Sequence, residues 1–293
     1  MTKKLEIDDR NPVVTGGIPK GMHGSSVIDE QEINAVTKVL KSQNLFRFSD
    51  NSEVLKFEQE AAELLGVKHS LMVNSGTSAI ICALTGGGIG PGDEVIVPGY
   101  TFIATAAAVV AVGAYTSNCL MTLLDLIPSM SREKSLHIQK QSLPVHMQGV
   151  PGRIDQIVDV ANRHNLQIFE DCCQCIGGRY RGCFVGTIGN AGAWSLNFFK
   201  IISTGEGGLI FTDAYEIYER SAFASDPTMP MWVKDRAEYM QAEDTWMTTP
   251  FSRQCYRPSE IMGAMARIQL LKISQILTQT RKLKRTFLEE DSP

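Results

Sequence analysis

The stretch His69-Ser70-Leu71-Met72-Val73-Asn74-Ser75-Gly76-Thr77-Ser78-Ala79 decides how this chain is built. Five residues of strand-length apolar sequence lead straight into small residues of the kind that open a helix. The unit recurs. EVIVP (94–98), LPVHM (143–147), LQIFED (166–171), AGAWSLN (191–197) and GGLIFTD (207–213) are further short apolar runs, separated by helical patterns. Strands alternating with helices predict an α/β fold with a largely parallel sheet covered on both faces. Ligands of such sheets collect beyond the carboxyl ends of the strands, so the residues just after each run are the candidates for chemistry.

Outward from this centre, Asp29 with Glu32 three residues on reads as a capping-box start. Ile33, Val36 and Leu40 then recur on one face through Lys41. A second helix starts at Ser52, carries Leu55, Ala62 and Leu65 inward and stops at Gly66. Residues 1–27 are polar and punctuated by Gly and Pro, as in an extended arm. The segment 217–251 has no clean periodicity.

At 293 residues the chain can bury a full-sized core, and a net charge of -4 suits an enzyme better than a nucleic-acid binder. Neither a signal core nor a run of about 18 apolar residues is present, so no membrane partner and a cytoplasmic location are expected. The seven cysteines are odd in number and clustered, which predicts reduced thiols. Cys172 and Cys175 form a C-x-x-C pair, but no second pair at zinc-site spacing follows, so no metal is expected.

Four strand ends carry suggestive residues, each with an ordinary alternative. Gly76 and Thr77 would open a helix whose free N–H groups suit a phosphate, or Ser75 would simply cap it. Asp171 would be a poorly solvated carboxylate needing a cation or a protonated ring nitrogen, or it would cap the next helix. Lys200, ahead of Gly205-Glu206-Gly207-Gly208, would be a nucleophilic amine between two strands, or a solvated surface charge. Phe102 would offer a face to a planar ring, or start a helix from the core.

Taken together, N-S-G-T-S-A (74–79), P-G-Y-T-F-I-A-T (98–105), P-V-H-M-Q-G (144–149), E-D-C-C-Q (170–174), S-L-N-F-F-K (195–200) and T-G-E-G-G (204–208) resemble the DegT/StrS-type sugar aminotransferases. The resemblance covers residues 27–273, and the spacing from Lys200 to the GEGG run is its most specific part. It implies PLP fold type I, the aspartate-aminotransferase-like architecture, with a mixed, mostly parallel sheet between helices. It also implies a homodimer with shared active sites and pyridoxal 5'-phosphate as cofactor. By the same likeness Lys200 carries the cofactor and Asp171 faces its ring nitrogen. Gln174 lies beside the ring, Phe102 stacks on it, and Gly76, Thr77 and Ser195 hold the phosphate. His146 matches a family position. The implied reaction takes an amino group from glutamate or glutamine and gives it to a keto-sugar, often nucleotide-linked, or a keto-cyclitol.

On this reading residues 1–27 form an arm, 28–255 the cofactor-binding domain, and 256–293 the start of a C-terminally truncated small domain. The interval 115–143 keeps the family's length but not its strand and helix pattern, as a compensated reading-frame slip would leave it. Cys255 stands where the family usually has Asn, and a thiol is a weak donor toward a phosphate. Two enzyme alternatives are disfavoured. The sugar dehydratase branch replaces the lysine with histidine, whereas residue 200 is Lys. A nicotinamide enzyme wants G-x-G-x-x-G after its first strand, but the glycines at 86–92 precede a strand instead. A degenerate paralogue that binds cofactor or a partner without turnover is the non-catalytic alternative.

Overall fold

The computed structural model describes residues 23–47, 51–119, 140–226 and 254–290. The expected arm, apart from its last residues, lies outside them, as do most of the 115–143 interval and of 217–251.

Helix α1 (Glu30–Ser42) begins at the expected capping box: Asp29 accepts from Gln31 N–H, and Glu32 accepts from Asp29 N–H. Its inward face is not the expected one, because Ile33 and Leu40 are each 52% exposed while Glu32 and Val39 are buried. The cause is polar. Lys272 and Gln269 bind the Glu32 carboxylate and turn that residue toward the interior. Helix α2 (Glu53–Leu65) is capped by Ser52 and ends at Gly66, whose φ of 73° is the left-handed conformation predicted for it. Val54, Phe57, Ala61 and Leu65 form its core face, with Leu55 and Ala62 at the margin.

The strands β1 (His69–Val73), β2 (Glu94–Pro98), β3 (Tyr115–Cys119), β4 (Lys140–Ser142), β5 (Phe169–Asp171), β8 (Ala191–Ser195) and β9 (Gly208–Thr212) make two sheets. Their orders are β3-β2-β4 and β5-β8-β9-β1. Parallel bridges Ser142–Ile168 and Val145–Asp171 join β4 to β5 and make the layer continuous. Among the described strands of this layer, β9 runs opposite to the rest, antiparallel to both β8 and β1. A small hairpin, β6 (Arg179–Tyr180) with β7 (Cys183–Phe184), stands apart.

Five of the six apolar runs contain a strand, whereas LPVHM does not. Pro144 has no N–H to give a ladder, and the chain there stays beside β5 through Asp171 N–H to Pro144 O and His146 N–H to Asp171 O.

Helices α3 (Gly76–Gly86), α4 (Ile103–Ala111), α5 (Ile154–His164), α6 (Tyr215–Ser225) and α7 (Glu260–Glu290) cover the sheet. The strand period of two assigns the faces. Leu71, Val73, Ala191, Ala193 and Ile210 pack with α3, α4 and α6. Met72, Trp194, Leu209 and Phe211 pack with α2 and α7. The first half of α7, through Ala266, Leu270, Ile273 and Ile276, thus belongs to the core of the sheet domain. Among the described residues no helix is long and apolar enough to cross a membrane.

Candidate active site

A cavity of about 370 Å³ opens at the carboxyl ends of β1, β5 and β8. It is lined by all seven residues singled out from the sequence: Gly76, Thr77, Phe102, Asp171, Gln174, Ser195 and Lys200. They come from four separate segments.

The floor at one side is the start of α3. Ser75 caps this helix, its hydroxyl accepting from Ser78 N–H at 3.0 Å. The ordinary reading of the small residues is therefore true of Ser75, and it leaves the next two N–H groups unused. Among the described residues neither Gly76 nor Thr77 N–H finds an acceptor, and both sit at the positive end of an 11-residue helix. Gly76 is required by packing: a Cβ there would lie 2.5 Å from Ser195 Cβ, so only glycine brings α3 this close to β8.

Asp171 ends β5 and is 4% exposed. No helix follows it to be capped. Its Oδ1 accepts from Cys173 N–H at 3.0 Å and its Oδ2 from the Thr105 hydroxyl at 2.7 Å. Thr105 in turn bonds Thr101 at 2.7 Å. The two protein contacts fix the carboxylate's plane and leave further acceptor capacity toward the cavity.

Lys200 is half-buried on the loop between β8 and β9, and among the described residues its ammonium makes no hydrogen bond or ion pair. Phe102 caps α4 and is 61% exposed at the rim, so it is not a core residue. Gln174 is anchored by its backbone, whose carbonyl accepts from Gly149 N–H at 2.8 Å. Its Oε1 accepts from Gln148 N–H at 3.4 Å.

Cavity residues that the sequence did not single out include Thr105's neighbour Ala104, Asn197 and Glu206, the last two joined at 2.8 Å. Thr105 itself was within the P-G-Y-T-F-I-A-T run, three residues after Phe102, and one helical turn is the spacing that could have pointed to it.

His146 has a different place. It is fully buried, its Nδ1 accepts from Gly152 N–H at 3.0 Å, and its Nε2 donates to Glu170 at 2.9 Å. Glu170 also accepts from Gly186, Ile188 and Gly189 N–H, between 2.6 and 2.9 Å. The pair staples three loops beneath the cavity.

His146, Glu170 and Cys172 lie within 4.8 Å of one another, but the first two have already committed the atoms a metal would need. Burial, with Glu170 and Asp171 nearby, pushes the Cys172 thiol well up, and burial raises Cys175 to about 11. Burial and the adjacent Asp171 also keep Cys173 a thiol. Cys82, Cys172, Cys173, Cys175, Cys183 and Cys255 are free thiols.

Two unused N–H groups at a helix start, a buried carboxylate with open acceptor capacity and an unpaired amine in one cavity fit the phosphate, ring nitrogen and aldehyde of pyridoxal phosphate. The mixed, mostly parallel sheet between helices is of PLP fold type I, the fold of its structural neighbours. The chain matches the DegT/DnrJ/EryC1/StrS aminotransferase family over residues 26–290 and belongs to it.

GDP-perosamine synthase of Caulobacter vibrioides is 32% identical over 241 residues, 78% of this chain and 59% of that protein. L-glutamine:2-deoxy-scyllo-inosose aminotransferase of Streptomyces paromomycinus is 34% identical over 171 residues, 58% of this chain and 40% of that protein. Among solved structures, E. coli GDP-4-keto-6-deoxy-D-mannose-3-dehydratase with bound hydrated PLP has a TM-score of 0.77 at 25% identity. That match covers 92% of this chain and 72% of the other. The chain spans about half the length of the curated relatives it matches.

Proposed function

We propose that this chain is the cofactor-binding part of a PLP-dependent aminotransferase that takes an amino group from glutamate or glutamine and delivers it to a keto-sugar or keto-cyclitol. The observation that carries the reading is the convergence of the Lys200 amine, the Asp171 carboxylate and the free α3 N–H groups on one cavity. One named relative is a synthase of GDP-perosamine and the other an aminotransferase between L-glutamine and 2-deoxy-scyllo-inosose.

Bound in this cavity, pyridoxal phosphate supplies an electron sink that makes a carbon–hydrogen bond beside an amine acidic. Gly76 and Thr77 N–H would hold the phosphate, with Ser195 beside them. Lys200 would hold the cofactor's aldehyde carbon and is the amine placed to move the proton of the donor's α-carbon. Asp171, oriented by the Thr105 hydroxyl and Cys173 N–H, would face the ring nitrogen. Phe102 and Gln174, which line the same cavity, would meet the ring at its face and at its edge.

The same reading includes a cytoplasmic homodimer. The free thiols suit a reducing compartment. Phe102, Phe198 and Phe199, exposed by 61%, 51% and 76% around the cavity mouth, are what a second subunit would cover. Lys200 stands where the dehydratase alternative requires histidine.

Borohydride reduction of the cofactor-loaded chain, followed by peptide mapping, is the test. A pyridoxyl label on Lys200 is expected, and a label on another lysine overturns the assignment.

A further inference from the structure

The loop that carries Lys200 is fixed from outside by two elements remote from it in sequence. Within the loop, Lys200 N–H donates to Asn197 O at 2.9 Å, Phe198 N–H to Gly205 O at 2.9 Å and Thr204 N–H to Leu196 O at 3.0 Å. These bonds close the turn but do not say where it sits. Two others do. Gly24 N–H donates to the carbonyl of Lys200 itself at 3.0 Å. Ser203 N–H donates to Oε1 of Gln269, on α7, at 3.2 Å.

Gln269 is fully buried, and its amide is used at both ends. While Oε1 receives the loop, Nε2 donates to Glu32 at 2.7 Å. Glu32 is held by Lys272 at 2.7 Å, and Lys272 also binds Asp29 at 3.0 Å and the carbonyl of Val27 at 3.0 Å. Position 24 tolerates no side chain. A Cβ there would collide with Gln269 Oε1 and lie 2.5 Å from Ser203 N and 2.8 Å from Ile202 Cα. The absence of a side chain is what lets this turn reach the Lys200 carbonyl.

A lysine stem has four rotatable bonds, so its amine is aimed only as well as its backbone is fixed. We propose that Gln269 and Gly24 are positioning residues for Lys200, pinning the backbone on either side of Ile201 and Ile202 so that the amine enters the cavity opposite Asp171. The proposal rests on the reading of Lys200 as the working lysine. Neither residue lines the cavity. Gln269 is suited to the task because an amide accepts and donates at once. A carboxylate there would accept from Ser203 but face the Glu32 carboxylate, and an aliphatic side chain would leave Ser203 N–H buried without an acceptor.

The test uses the 293-residue chain and four variants: Gln269→Leu, Gln269→Glu, Gly24→Ala and the exchange Glu32→Gln with Gln269→Glu. Glutamine at 32 keeps the capping box and can donate to a carboxylate at 269. In cofactor-free protein, amide hydrogen exchange over residues 196–207 is expected to speed up roughly tenfold in each single variant, the scale of one lost buried hydrogen bond. Exchange in β1 and β9 should be unchanged. With pyridoxal phosphate added, the pH midpoint of the visible absorbance of the lysine-bound cofactor should move in the single variants and return in the exchange variant.

Unchanged exchange and an unchanged midpoint in Gln269→Leu would overturn the proposal. So would equal acceleration in β1 and β9, or outright unfolding of both single Gln269 variants, because either would assign Gln269 to the stability of the domain. The Lys200 reading fails separately, if the borohydride label of the parent chain falls on another lysine.

Discussion

Thr105 donates its hydroxyl to Asp171 across 2.7 Å, and it does so from the first turn of α4 to the last residue of β5. The same hydroxyl bonds Thr101 at 2.7 Å, in a pair where either oxygen can be the donor. The chain can therefore reverse. In Asp171→Asn the new amide can donate to Thr105 while its oxygen keeps Cys173 N–H, so only the charge is lost. We expect the variant to fold and to capture cofactor. Its glutamate half-reaction should slow by about 100-fold, the ~3 kcal/mol typical of one electrostatic contact in a transition state. Stopped-flow absorbance measures the rate, and parity with the parent removes Asp171 from its proposed role.

Gly76 is the contact point between α3 and β8, and Gly76→Ala would force the two apart at Ser195. In the proposed binding mode the displaced N–H groups would serve the phosphate and not the ring. Affinity for pyridoxal phosphate should fall about tenfold or more, in the range of one or two lost charge-assisted bonds. Affinity for pyridoxal, which lacks the phosphate, should change far less. Equilibrium titration of both ligands decides it, and equal losses would place the phosphate elsewhere.

Arg267 joins α7 to α2 by bonding Glu53 at 2.6 Å and Glu60 at 3.0 Å. Burial pushes the Glu53 carboxyl up, but the bonds from Arg267 and Lys56 outweigh it and hold the group below its ordinary 4.5. A carboxyl depressed in the folded state adds stability that is present above its unfolded value and is lost as the pH falls through the folded one. Arg267→Met should therefore cost about 1 kcal/mol at pH 7, discounted for partial exposure, and progressively less below pH ~4.5. Urea denaturation at several pH values reads this directly. A gap that stays constant down to pH ~3 would show that Glu53 is not the charged partner.

Much of the site was legible because it obeys local rules. Each predicted site residue sits at or just beyond the carboxyl end of a strand, or at the start of the helix that follows. That placement depends only on apolar run length and on what comes next. The face of α1 was misread for the opposite reason. Its stripe of Ile33, Val36 and Leu40 is a sound amphipathic pattern, yet Glu32 is buried by partners at 269 and 272, more than 200 residues away. No periodicity records such a pairing. LPVHM was read as a strand from its apolar content, and Pro144 overruled it by removing a donor.

The sequence by itself determined the alternation of strands and helices, the caps at Asp29, Ser52 and Gly66, and the small set of residues that line one cavity. These are set by near neighbours, through backbone hydrogen bonding, side-chain period and the freedom of glycine. Only the tertiary structure decided that Thr105 holds Asp171, that His146 is a staple under Glu170, and that Gly24 and Gln269 grip the lysine loop. Each of these joins segments brought together by the closing of the sheet. Their energies come from burial of polar groups that must find partners, and which partners stand within reach is fixed only when the layers pack.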